Sequence, residues 1–119
     1  MKVCRSALCV LALTISVGGK TPVQQAPARA SSAINPLVNQ ERAQRAGAKL
    51  YARECASCHG ANAGGSGKAL PLVAPEVRDA APGALFWVLT NGSLVRGMPS
   101  FAHLPAAQRW QLVEYLKTF

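Results

Sequence analysis

The chain has 119 residues, half of them hydrophobic and 15% charged, with 13 Lys and Arg against 5 Asp and Glu for a formal charge of +8. That length holds one domain at most. Its basic residues stand singly, with no run and no aromatic interleaving, which excludes a nucleic-acid tract in favour of a solvated surface or a weakly basic docking face.

Lys2 and Arg5 open a positively charged stretch, and the apolar run from Ala7 to Val17 that follows is too short to span a bilayer, so the start reads as a secretory signal. Ala28-Arg29-Ala30 has the small-x-small form that a peptidase cuts and places the leader at residues 1–30, while the polar stretch from Gly18 to Arg29 leaves room for an earlier cut. An uncleaved anchor is the alternative. Cys9 follows Leu8, where a lipidation site wants a small residue. Without the leader, Cys55 and Cys58 are the only cysteines, and nine Lys or Arg face five acids for a net +4. The expected mature protein is periplasmic, with no membrane span. Residues 31–38, Ser-Ser-Ala-Ile-Asn-Pro-Leu-Val, read as a flexible tether, and 39–119 as the folded domain.

From about Asn39 the residues favour a helix, which delivers Cys55-Ala56-Ser57-Cys58-His59 at its C-terminal end. Two cysteines three apart with a histidine next is the spacing that attaches c-type haem. Positions three apart share a helix face, so each cysteine can form a thioether to one vinyl group, and His59 can ligate the iron. The other imidazole nitrogen then needs a carbonyl acceptor. Two rivals stand beside this reading. A thioredoxin-like dithiol would need βαβ strands, and no run of alternating or β-branched residues supplies them. A zinc site would need a fourth ligand beside Cys55, Cys58 and His59, with only His103 to offer.

Gly60 stands where a helix stop belongs, and Asn62, Gly64, Gly65 and Gly67 suggest a flexible loop with neither the preceding strand nor the Lys-Ser/Thr ending of a phosphate cradle. Leu70-Pro71-Leu72-Val73 is a proline-stiffened turn, and a carbonyl at Leu70 or Pro71 suits the second nitrogen of His59. A second helix is predicted from about Gly83 to Thr90, and a third from Pro105 to the end with Leu112, Tyr115, Leu116 and Phe119 at three- and four-residue spacing. Three short helices leave little apolar area, and a covalent haem would supply the missing core.

Met98 is the one methionine left beyond the leader, between Gly97 and Pro99 in the loop joining the second and third helices. A thioether on a stiff loop suits a sixth iron ligand, with core filling as the alternative role and His103 as the rival ligand. Arg78 and Trp87 are candidates to hold the haem propionates, through a guanidinium fork and an indole N–H; surface pairing with Asp79 or Glu76, and plain packing, are their alternatives.

Gly47, Tyr51, the Cys55–His59 motif, Pro71-Leu72, Gly97-Met98-Pro99 and Leu112-Val113-Glu114-Tyr115-Leu116 resemble a class I, monohaem cytochrome c of the bacterial type, over about residues 40 to 119. The resemblance implies an all-α small cytochrome c fold, three main helices and loops wrapped around one covalently attached haem c. It implies that Gly47 and Tyr51 of the first helix cross Leu112 and Tyr115 of the last. Leu70 departs from the pattern, in which relatives often carry a second proline. With His59 and Met98 on the iron no coordination position is open, so the expected role is a non-enzymatic carrier of single electrons between a dehydrogenase or respiratory complex and a terminal acceptor. The alternatives are a permanent cytochrome subunit of a periplasmic dehydrogenase or oxidase complex, and a five-coordinate haem sensor or peroxidase-like protein.

Overall fold

In the computed structural model, which describes residues 18–67 and 69–119, the regular elements are helical: α1 (Ala28–Ser31), α2 (Glu41–Glu54), α3 (Ala56–His59), α4 (Pro75–Arg78), α5 (Pro82–Asn91) and α6 (Ala106–Leu116). Two 3-10 turns, Val23–Gln25 and Leu94–Arg96, complete the order. The apolar leader segment falls on residues outside the described ones. Among the described residues no helix is long and apolar enough to cross a membrane.

The three longer helices, α2, α5 and α6, start within two residues of the predicted ones, with α6 stopping three residues before Phe119, and their local chemistry explains the ends. Glu41 stands in the first turn of α2, at the positive end of the helix dipole, and Ala43, Gly47, Leu50 and Tyr51 make its buried stripe. Pro82 occupies the first turn of α5, where its missing N–H costs nothing, and Gly92 closes that helix at φ +67°. Pro105 sits one place earlier than expected, as the extended N-cap of α6. The short elements α1, α3 and α4 are single turns that no periodicity could announce.

The centre of the small all-α body lies where α2 crosses α6. Tyr51, Leu112 and Val113 are its largest fully buried side chains. A Cβ at Gly47 would stand 2.0 Å from the Gln111 carbonyl oxygen and 2.7 Å from Tyr115 Cβ, so only glycine lets the two backbones meet. Tyr51 packs on Tyr115 at 5.4 Å between ring centroids and edge-on against Phe119 at 5.9 Å. On the far side, Phe86 of α5 stacks on Trp110 of α6 at 4.0 Å with the Arg109 guanidinium 4.7 Å from the Phe86 ring. Lys117 Nζ donates to the carbonyls of Arg78 and Ala80 and ties the chain end to the α4–α5 junction.

The Tyr51 hydroxyl donates to the Gly60 carbonyl at 2.6 Å, and burial together with Cys55 and Tyr115 pushes its pKa up, so it stays a donor at neutral pH. Tyr51→Phe removes this bond while keeping the ring. It is expected to cost about 1 kcal/mol, read as a drop of roughly 4–8 °C in Tm.

Residues 31–38, which the sequence suggests as a tether, are anchored at Asn35: the residue is 4% exposed, and its Nδ2 donates to Glu114 Oε2 at 3.1 Å.

Candidate functional site

Helix α2 ends at Cys55, whose φ of −119° breaks the helical path before α3 resumes it. The N–H groups of Cys58 and His59 both donate to the Cys55 carbonyl, at 3.2 and 2.9 Å, so the motif forms one tight turn. Cys55 and Cys58 are free thiols, the first buried and the second exposed. Burial, then the neighbouring Glu54 and Cys58, push the Cys55 thiol up to about 11. A reactive dithiol needs the opposite shift, so this environment speaks against the thioredoxin-like alternative.

The rest of the turn is pinned from the glycine loop. Ser66 Oγ donates to the Cys58 carbonyl at 2.6 Å, and the Gly65 N–H to the His59 carbonyl at 2.8 Å. What looked like a flexible loop is thus bonded to the motif it follows. His59 Nδ1 lies 2.9 Å from the Leu70 carbonyl oxygen. A carbonyl only accepts, so Nδ1 carries the proton and Nε2 is the nitrogen left for another partner. Of the two carbonyls that the sequence left open, Leu70's is the one engaged.

Met98 is held differently. Its N–H donates to the Ser93 carbonyl at 3.0 Å and its carbonyl accepts from the Ser93 N–H at 2.9 Å, closing the loop that holds the second 3-10 turn. Gly97 stands in the left-handed region at φ +73°, which a side chain would resist, and so turns the chain into Met98.

These two elements meet at a cavity of about 580 Å³, in the size range of ligand and cofactor sites (about 300–1,000 Å³). Cys55, Cys58, His59, Leu70 and Met98 all line it. Its apolar wall comes from Leu85, Val88 and Leu89 of α5, Leu112 and Leu116 of α6, and Phe101. Two thiols three apart, an imidazole and a thioether, around an aliphatic cavity, form a donor set that fits a covalently tethered haem.

Arg78 and Trp87 are not brought to this cavity. Arg78 Nε pairs with Asp79 at 3.2 Å on the exposed side of α4, and Trp87 falls outside the lining residues, its carbonyl accepting from Asn91 Nδ2 at 2.8 Å. Neither residue lines the cavity, and Arg78 is exposed and paired with its neighbour. Arg96, two residues before Met98, lines the cavity instead, and its closeness to Met98 in sequence was the available signal. His103 is exposed beside Phe101 and outside the lining, so it joins neither the thiols nor His59 as a zinc ligand. Among the described residues no three His, Cys, Asp or Glu side chains converge as a metal-ion site. Pro22 and Val23, from a stretch that reads as leader, also line the cavity. No feature of the sequence announced them.

Residues 42–116 match the family described as cytochrome c oxidase, cbb3-type, subunit III. The chain is also 34% identical over 94 residues to a quinohemoprotein alcohol dehydrogenase, ADH-IIG, of Pseudomonas putida. That match covers 76% of this chain and 12% of the dehydrogenase, so the chain spans about an eighth of that relative's length. No solved structure matches.

Proposed function

Because the chain belongs to the cytochrome c oxidase, cbb3-type, subunit III family, we propose that it is a c-type haem module that passes single electrons as a fixed part of a larger periplasmic redox assembly, an oxidase or dehydrogenase complex. The single observation that carries the haem is the cavity that gathers Cys55, Cys58, His59 and Met98. The fixed setting is supported by the comparisons: one matching family is named as an oxidase subunit, and in the dehydrogenase the matching stretch is a small part of a much longer chain. The reading retains the class I monohaem type suggested by the sequence. It keeps the proposed haem-holding residues within 39–119, a stretch that encloses the family match, in an exported chain.

Cys55 and Cys58 would hold one haem c by thioether bonds, with His59 Nε2 and the Met98 sulfur available to its iron. When bound, that group supplies a one-electron iron couple. The protein's part is to keep the donors in place. The Leu70 carbonyl orients His59, and the Ser93–Met98 bonds hold the sulfur on a closed loop. Leu85, Leu89, Leu112 and Leu116 keep water from the site, lowering the local dielectric so that charge on the cavity is disfavoured. Arg96, which lines the cavity, would meet the carboxylates of the bound group. Beside it Leu94 and Val95, 87% and 100% exposed, offer an apolar surface through which a redox partner can approach.

The test is production of the exported chain with a haem-attachment apparatus, followed by denaturing electrophoresis and by affinity recovery from its native cell. Haem should stay with the denatured chain and be lost from the Cys55→Ser/Cys58→Ser double variant. A larger redox protein should copurify in stoichiometric amount. An exported wild-type chain without covalent haem overturns the site, and recovery as a lone monomer returns the function to a diffusing carrier.

A further inference from the structure

Glu114 is a buried carboxylate that electron transfer does not use. It is 5% exposed on α6, between the apolar Val113 and Leu116. A buried carboxylate is costly unless donors surround it. Three do: the Asn39 N–H at 2.7 Å and Gln44 Nε2 at 3.4 Å on Oε1, and Asn35 Nδ2 at 3.1 Å on Oε2. Two of the three come from the segment that precedes α2. Asn39 turns its N–H into place at φ +61°, in the left-handed region where asparagine is better tolerated than most side chains.

The same segment touches the body twice more. Across α5, the strap backbone lies so close to Gly83 that a Cβ there would stand 2.2 Å from the Ala30 carbonyl oxygen and 2.8 Å from that of Ser31. Further back, Pro22 is buried, and with Val23 it forms part of the cavity wall that also contains Val77, Leu85 and Leu112. Three contacts spread over residues 22–39, to Gly83 of α5, to Glu114 of α6 and to the cavity wall, are more than a leader or a linker requires.

We infer that residues 21–39 are a strap integral to the folded domain, closing one wall of the cavity and locked at its far end by Glu114. The haem reading enters only as what fills the cavity; the strap's attachment stands on the protein contacts alone. One consequence is that export processing must leave Pro22 in the mature chain, because a cut after Ala30 would remove Pro22, Val23 and most of α1. Glu114 and Gly83 are then positioning residues: they hold the strap, and the strap shields the cavity.

The test uses the full chain exported and haem-loaded. Intact mass should place the mature N-terminus at or before Pro22, and limited proteolysis should leave residues 22–39 uncut while the domain is folded. Gly83→Ala adds only a methyl and favours the helix, yet should lift the strap, so cleavage within residues 22–39 should accelerate by about tenfold, a loss of about 1.4 kcal/mol in strap closure. The α2–α6 portion should still resist. If Gly83→Ala is digested throughout, Asn35→Ala replaces it, with the same acceleration expected. A mature chain beginning after Ala30, or a strap cut as fast in wild type as in both variants, overturns the inference. Absorption of the same samples reports haem separately, so a colourless chain with a protected strap sinks the haem reading and leaves the strap standing.

Discussion

Replacing Gly47 by alanine is expected to destabilise the protein by about 3 kcal/mol, near the upper end of what one overpacking methyl does. Alanine is the better helix former by up to about 1 kcal/mol, so propensity alone predicts stabilisation. The packing decides otherwise. The new methyl would lie 2.0 Å from the Gln111 carbonyl oxygen and 2.8 Å from its carbonyl carbon, both backbone atoms that no rotamer change can move aside. Relief needs α2 and α6 to separate, which loosens Tyr51 from Tyr115 and opens the side of the cavity formed by Leu112 and Leu116. Thermal unfolding of the haem-loaded protein should shift down by roughly 10–25 °C. A Tm equal to or above wild type would show that the helices do not cross at this position. Gly64, where an added Cβ meets nothing within 4 Å, is the control: Gly64→Ala should leave Tm within a few degrees.

Met98→Ala is expected to change the redox behaviour more than any other single substitution that leaves the chain folded. Sulfur is a soft ligand that favours the reduced iron, and axial ligation spans about 0.8 V across haem proteins. Loss of the thioether should lower the midpoint potential by at least about 0.1 V. The weak ferric absorption at the red end of the visible spectrum should vanish, and the ferrous protein should gain rapid carbon monoxide binding. Under the proposed ligation wild type should bind carbon monoxide slowly, because Met98 would occupy the sixth position. If the spectrum survives Met98→Ala and is lost in His103→Ala, the histidine is the ligand, against its exposed placement outside the cavity. If wild type already binds carbon monoxide rapidly, the five-coordinate alternative replaces the electron-transfer reading.

The two predictions draw on different levels of information. The positions of α2, α5 and α6 were legible because each carries its own stripe and its own stop: Ala43, Gly47, Leu50 and Tyr51 on one face of α2, Pro82 and Gly92 at the ends of α5, and Pro105 before α6. The Cys55–His59 turn was legible for the same reason, since its geometry is set within one helical turn. Gly97 and Pro99 marked Met98 as a residue on a constrained loop. All of these are local properties, and local propensity survives when the rest of the chain is ignored.

What spacing could not carry was which distant groups share a wall. Arg78 and Arg96 look alike in sequence as single cations in loops, but α4 turns Arg78 toward Asp79 while the loop of Met98 brings Arg96 to the cavity. Glu114 reads as one more surface acid on an amphipathic helix until Asn35, Asn39 and Gln44 close over it. Pro22 and Val23 belong by composition to a polar leader, and only their contact with the cavity makes them part of the domain. From the sequence came the three longer helices, the tight Cys55–His59 turn and the constrained loop of Met98, because those depend on neighbours within a few residues. Only the tertiary structure showed the Leu70 carbonyl as partner of His59, Arg96 among the cavity-lining residues, and the contacts of Pro22, Ala30 and Asn35 with the body. Each of these is a pairing across a long stretch of chain, fixed by close packing and by the need of buried polar atoms for partners, and neither condition leaves a period in the sequence.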